Sequence, residues 1–457
     1  MDTRYLSRLK TTLVGTAACP LVLVCNFEAE QYWADGHVGM PAPSLDTSTS
    51  LVRRMEELGC LLAGPSDVLV LKHPLDPGYR AYLEDLGLCP PDVLVPENTT
   101  PDQPTAQDVL ASPAALRRLS ALVGQGAHLL PMGTSIWEQR LAEACGLPLA
   151  VPDASTFQRV NSKIYGRRLA AAGGLRCVPG ACCETVSEFV ATIGRYRHRL
   201  DNGDLRIVVK DAYGVSGKGL VVLEDAAKMD RLARMVTRRA ERSGDPRLHV
   251  VVEEWLPKRY DLNYQVTVAR DGGVTLDFVK QALTDNGVHK GHIMPPELSP
   301  AGHAQIEEAA HTVGGRLYAD GYHGVAGVDA IVDSLGGVYP VLEINARLNM
   351  STYQGGVTER FQRAGQMAMA RHYPVRLHRP CRFDDLRRVL GPVLELREDE
   401  RFVATCFGTV NANAHQPPPI PGRLYAILIA SDHRRLAELD RAATAALAHL
   451  AADQENR

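Results

Sequence analysis

The stretch at residues 325–354, VAGVDAIVDSLGGVYPVLEINARLNMSTYQ, constrains this chain more than any other, because it gathers three oxygen-bearing side chains onto one local sheet. Residues 325–331 and 338–344 are rich in β-branched residues, and DSLGG between them has the composition of a hairpin turn. Side chains alternate faces along a strand, so Glu343 and Asn345 point the same way. With the turn centred on Leu335, Asp329 lies opposite Val341 and joins Glu343 on that face. Two carboxylates and an amide oxygen make a hard oxygen cluster of the kind Mg²⁺ prefers, with Arg347 two residues beyond Asn345. Alone, Asp329 reads as an ordinary surface acid. The full set, Asp329 with Glu-x-Asn-x-Arg, reads as a metal and phosphate face because of what lies upstream.

At 457 residues the chain is too long for one ordinary core, so several domains are expected. A net charge of −3 and a pI near 6.6 argue against a nucleic-acid partner. The arginine-rich pieces at 237–247 and 371–388 are broken by acids, Gly or Pro, and read as solvated faces. Ten cysteines include no C-x-x-C spacing, and Cys182 and Cys183 are adjacent, so reduced thiols in a cytoplasmic protein are expected rather than a zinc ribbon or a disulfide framework. No stretch has the apolar length of a membrane span, and MDTRYLSRLKTTLVG lacks the apolar core of a signal peptide.

Residues 20–152 alternate short apolar runs (21–25, 68–71, 93–95, 128–130) with helical stretches (50–58, 77–86, 106–123, 135–145), which predicts a parallel sheet covered by helices. Asn26 and the loop to Trp33 follow the first strand, where open α/β sheets place ligands, although loop is the plainer reading. NSKIYGRRLAAA (161–172) reads as a helix capped by Asn161 or Ser162, with Lys163 in its first turn. A strand at 206–210 then runs through DAYGVSGKG into a second strand at 220–223, placing glycines between two strands. Such a loop can fold its N–H groups over phosphates, with Lys210 and Lys218 offsetting their charge. A plain glycine hairpin is the competing reading.

HVVVEEWLP (249–257) follows a helix at 225–242 and can offer Glu254 and Leu256 backbone groups to an adenine edge. Glu253 would accept from the adenine amino group and Asp261 would hold ribose hydroxyls. Residues 264–269 and 274–283 read as paired strands, His289 and His292 as loop histidines, and 300–317 as a helix. A helix at 357–370, strands at 402–410 and 424–430, and a closing helix at 433–451 complete the chain.

The order Lys163, Lys210, glycine loop, acid-Trp-Leu segment, Asp329 and Glu343-Ile-Asn345-Ala-Arg347 resembles the ATP-grasp superfamily of carboxylate-amine ligases across residues 152–370. The resemblance implies a mixed α/β and α+β architecture: an N-terminal α/β domain (1–152), an ATP-grasp domain (153–372) with a lid subdomain near 177–257, and a C-terminal α+β region (373–457). It implies that Lys163, Lys210, Tyr213, Gly214, Ser216, Gly217, Lys218, Gly219, Glu253, Glu254, Trp255, Leu256, Asp261 and Leu342 bind ATP. Asp329, Glu343 and Asn345 would ligate two Mg²⁺ ions, for which Mn²⁺ can substitute. Arg347, Lys210 and Lys218 would serve catalysis, and the glycine loop would act as a mobile lid. Arg347 is similar to the arginine of the biotin-carboxylase branch, whereas Gly327 stands where D-alanine ligases carry a phosphate-facing arginine, which argues against that branch. The layout looks most like the peptide ligases of actinomycete natural-product pathways, of the pheganomycin type. That narrower likeness implies a small carboxylic or amino acid joined to the N-terminal amine of a peptide, while charge and apolar length point to neither nucleic acid nor membrane as partner and a homodimer stays open. A dipeptide-forming ligase and a non-enzymatic nucleotide-binding protein are the alternatives. Acid specificity is expected from the N-terminal domain and residues 285–296.

Overall fold

The computed structural model describes residues 4–41, 49–88, 90–214, 219–285, 288–395, 397 and 399–455. Three sheets organise them. The first contains β1 (Leu21–Val24), β2 (Val68–Val70), β3 (Asp92–Leu94) and β4 (His128–Pro131), all parallel, in the order β3-β2-β1-β4. Its central strands are buried on both faces, which explains why β1 reads as an unbroken LVLV rather than an alternating run. The helix expected at 106–123 is two helices, Thr105–Leu110 and Pro113–Ser120. Pro113 cannot continue the first, and Ser112 instead caps the second by accepting from the Ala115 N–H.

The second sheet is antiparallel: β5 (Gly180–Thr185), β6 (Ile207–Asp211), β7 (Leu220–Leu223) and β8 (Arg247–Glu254), in the order β5-β8-β6-β7. Val250 and Val252 of β8 face a core built with Phe189, Ile193, Met229 and Val236 from helices Val186–Gly194 and Ala226–Ser243. Val251, with the opposite parity, packs instead with Ile164 and Ala212. The helix Lys163–Ala172 therefore backs this sheet, with Ser162 at its N-cap position; Asn161 ends the preceding helix, Ala154–Val160.

The third sheet holds eight antiparallel strands: β9 (Lys258–Val268), β10 (Val274–Asp285), β11 (Val288–Met294), β12 (Gly324–Asp333), β13 (Val338–Asn345), β14 (Met367–Leu377), β15 (Arg401–Cys406) and β16 (Ile420–Ala430). Their order is β13-β12-β9-β10-β11-β14-β16-β15. The segment read as a histidine loop is thus β11, in which His292 lies opposite Ala370. Position 373, expected to open a separate region, falls inside β14, and the C-terminal strands extend the central sheet instead of building their own. The helix expected at 357–370 starts earlier, at Met350, because Asn349 caps it by accepting from the Ser351 and Thr352 N–H groups. It ends at Phe361, before Gly365 turns the chain with φ 83°. MAMARHYPVRL is instead strand β14, whose residues alternate buried and exposed from Tyr373 to Leu377. Helix Met350–Phe361 packs against helices Gly59–Leu62 and Arg4–Val14, tying the N-terminal sheet to the central one.

Candidate active site

The β12–β13 hairpin turns through Asp333, which accepts from the Leu335 and Gly337 N–H groups. Close to the turn the pairing runs as its sequence implies, with Ile331 opposite Tyr339. The register then shifts, and Asp329 lies opposite Glu343 rather than Val341. Pro340 sits within the shifted stretch, where it cannot donate to the ladder. A shift of two preserves parity, so both carboxylates still face the same way, with Asn345 one pleat further and opposite Gly327.

On this face Asp329 accepts from Asn263 Nδ2 at 2.8 Å and from Asn345 Nδ2 at 3.2 Å. Burial, then the charge of Glu343, pushes the Asp329 carboxyl up to about 6. Lys163 Nζ reaches Glu343 at 2.8 Å and donates to the Gly214 carbonyl at 2.8 Å, linking the start of its helix to the hairpin and to the start of the glycine loop. Arg347 donates from Nη2 to Asn345 Oδ1 at 3.1 Å and forms an ion pair through Nε with Glu30. Glu30 lies in the segment after β1, so that segment joins the site, although Asn26 itself is a buried clamp on the Met132 and Gly133 backbone.

The facing sheet contributes Lys210, whose Nζ lies 2.6 Å from Glu253 Oε2, while Arg167 Nη1 lies 2.6 Å from Oε1. Both oxygens of the residue expected to meet an adenine amino group are thus held by cations. Glu254 is paired with Arg199 at 2.7 Å, its N–H donates to the Pro179 carbonyl, and the Trp255 N–H donates to the Arg206 carbonyl. Both Asp261 oxygens accept from Lys258 Nζ, at 2.7 and 2.6 Å. Leu256 and Leu342 do come together, half-buried against Val178, Ile331 and Tyr339, as an apolar patch between the two sheets. Tyr213 donates from its hydroxyl to the Gln158 carbonyl at 2.6 Å. Gly219 has φ +73°, and a Cβ there would lie 2.6 Å from Asp211 Oδ2, so the return of the loop requires glycine. Ser216, Gly217 and Lys218 lie outside the described residues.

Three residues of this arrangement escape a reading of the sequence alone: Asn263, Arg167 and Glu30. Arg167 carried a signal, being four residues after Lys163 and hence on the same helix face. Asn263 carried a weaker one, two residues beyond Asp261 on one face of β9. Glu30 carried none.

Residues 55–147 match the pre ATP-grasp domain, and residues 166–360 match the ATP-binding domain of the carbamoyl-phosphate synthase L chain. This is an ATP-grasp fold behind a pre-ATP-grasp domain. Solved structures share this fold at low identity. An N5-carboxyaminoimidazole ribonucleotide synthetase in complex with ADP superposes with TM-score 0.55 at 11% identity, covering 96% of this chain and 98% of that one. A biotin carboxylase from Campylobacter jejuni in complex with β,γ-ATP superposes with TM-score 0.53 at 13% identity, covering 93% and 90%. Among curated proteins, the [butirosin acyl-carrier protein]–L-glutamate ligase of Niallia circulans is 30% identical over 207 residues, which are 45% of this chain and 48% of that protein. The chain spans about half the length of that relative.

The donor chemistry of this face fits a divalent cation. Asp329, Glu343 and Asn345 supply hard oxygens at one end of the sheet, and the burial and the Glu343 charge that raise the Asp329 carboxyl are what a bound cation offsets. Among the described residues no helix is long and apolar enough to cross a membrane.

Proposed function

We propose that the chain is an ADP-forming carboxylate-amine ligase that phosphorylates a small acid and joins it to the N-terminal amine of a peptide. The observation that carries this reading is the Asp329–Glu343 pair with Lys163 bridging it to Gly214, opposite Lys210 on the facing sheet. Adenine would lie on the Leu256, Leu342, Val178, Ile331 and Tyr339 patch, and the phosphates would run toward Lys163 and Lys210. Asp329, Glu343 and Asn345 would hold Mg²⁺, two ions in this reading, which offsets the charge crowded around a transferring phosphoryl group.

A carboxylate is a poor electrophile. An acid oxygen therefore attacks the γ-phosphorus, the bond to the β,γ-bridging oxygen breaks, and ADP leaves. The peptide amine, having lost its proton, then attacks the acyl carbon, and phosphate leaves with the C–O bond electrons. Lys163 and Lys210 exchange their present carboxylate partners for phosphate oxygens, which carry greater charge. Arg347, fixed by Glu30 and Asn345, presents its guanidinium where the acyl phosphate and the tetrahedral intermediate gather negative charge.

The similarity to a ligase named for L-glutamate and an acyl-carrier protein supports acid activation as the shared half of the reaction, and it favours a second reading in which a carrier protein is the acceptor. ADP release measured with acids crossed against amino acids, di- to octapeptides and an acyl-carrier protein, with mass spectrometry of the products, separates these. Ligation to peptides is expected. Products only with free amino acids would leave a dipeptide-forming ligase, and products only with the carrier would leave the second reading. ATP binding with no acid-dependent ADP would leave a nucleotide-binding protein.

A further inference from the structure

Lys280 of β10 stands directly beside Asn263 of β9, which stands beside Asp329 of β12, which stands beside Glu343 of β13. Residues in register on antiparallel neighbours share a face, so these four form one transverse row on the face that carries the proposed metal ligands. At the usual spacing of neighbouring strands, Lys280 lies about 10 Å across the sheet from Asp329. Beyond Lys280, Gln281 lies opposite Ile293 of β11, and the next residue, Met294, lies opposite Ala368 of β14.

Lys280 is 5% exposed, and among the described residues no carboxylate forms an ion pair with it. Its ammonium lies 4.5 Å from the centroid of the Phe278 ring. With His292, Met294, Gln354, Thr358 and Ile427 it lines a small cavity of about 10 Å³, room for one water-sized polar group such as a carboxylate oxygen. A buried ammonium among apolar groups, an amide, a hydroxyl and an imidazole, with no carboxylate beside it, is unfavourable unless an anion accompanies it, and burial pushes this one down to about 7. The proposed transfer of phosphate uses none of this: Lys163 and Lys210 serve the phosphates and Arg347 the acyl group.

We propose that Lys280 holds a second carboxylate of the acid substrate, so that the ligase selects dicarboxylic acids of aspartate or glutamate length. One carboxylate lies at the Asp329–Glu343 end of the row and is phosphorylated, while the other sits on Lys280 two strands away. This rests on the ligase reading and adds its substrate class. An acid without the second charge gives the buried amine no anion to pair with and forfeits the charge-assisted contact that a dicarboxylate makes.

ADP release is measured for the wild type, Lys280→Met and Lys280→Arg with glutamate, aspartate and glutarate against norvaline and valerate. The wild type is expected to prefer the dicarboxylates. Lys280→Met should lower the ratio of kcat/KM for dicarboxylate over monocarboxylate by roughly 100-fold, chiefly through KM, and Lys280→Arg should recover part of it. An equal ratio in the wild type and Lys280→Met overturns the proposal. Calorimetric titration of glutarate in the presence of a non-hydrolysable ATP analogue and Mg²⁺ reads the subsite without turnover. Weaker glutarate binding in Lys280→Met supports it, while equal affinity in both proteins, or no binding to the wild type, overturns it. If no acid drives ADP release yet glutarate binding still depends on Lys280, the ligase reading fails and the carboxylate site stands.

Discussion

Replacing Glu253 by glutamine probes the core of the facing sheet. The carboxylate lies between two cations, Lys210 and Arg167, each 2.6 Å from a different oxygen. Side-chain exposure is 6% for Glu253, 16% for Lys210 and 14% for Arg167, so water replaces little of what is lost. Glutamine keeps the shape but turns an N–H donor toward one cation and removes the charge that both require. Breaking a buried pair costs roughly 3–5 kcal/mol. Because both cations retain some access to water, the cost falls to or below the bottom of that range, about 2–3 kcal/mol, which corresponds to roughly 30- to 150-fold in a local opening equilibrium. A chain of this size does not unfold in one step, so amide hydrogen exchange is the proper assay. Exchange in β6 and β8 should accelerate by that factor while β1 and β4, in the N-terminal sheet, stay unchanged. Adding Lys210→Met removes one of the stranded cations and should recover part of the loss. Unchanged exchange in β6 and β8 for Glu253→Gln would refute the claim that this carboxylate holds the sheet's two cations in place.

Glu343→Ala should lower acid-dependent ADP release by at least about 100-fold while the thermal midpoint moves little, since Glu343 is half-exposed and Lys163 keeps the Gly214 carbonyl; near-normal turnover would remove the metal assignment. Gly180→Ala should destabilise by about 1–3 kcal/mol in thermal unfolding, because the new Cβ would lie 2.1 Å from the Val252 carbonyl oxygen of β8, and an unshifted midpoint would show that β5 moves away freely. Lys280, held down to about 7 by burial, is neutral in the folded chain above that pH while the unfolded chain stays protonated up to the ordinary lysine range. Stability therefore rises with pH across that window, and Lys280→Met should abolish this contribution; His292, which shares the cavity, is present in both proteins. A stability difference between the two proteins that stays flat from about pH 7 to pH 10 would count against a buried, uncompensated ammonium.

What the sequence makes legible here is local and periodic. The hairpin of β12 and β13, the parity that aligns Glu343 with Asn345, and the placement of β1 to β4 all follow from composition and alternation within a few residues. The partners of the charged groups do not, because each is chosen across a long stretch of chain: Lys163 with Glu343, Arg347 with Glu30, Lys210 with Glu253. Nor does the extension of the central sheet by β14, β16 and β15, since the edge that β11 offers to β14 leaves no mark in either strand's own pattern. The register of the hairpin shows where such reasoning is safe and where it is not. Leu335 as the turn centre correctly pairs Ile331 with Tyr339, and the bulge beyond then moves Asp329 from Val341 to Glu343. A slip of one residue would have put the two acids on opposite faces and dissolved the oxygen cluster. A slip of two instead sets them side by side, and in doing so continues the row that runs on through Asn263 to Lys280. Parity, which a sequence does encode, thus decides that these groups share a face, while register, which it encodes poorly, decides how close they come.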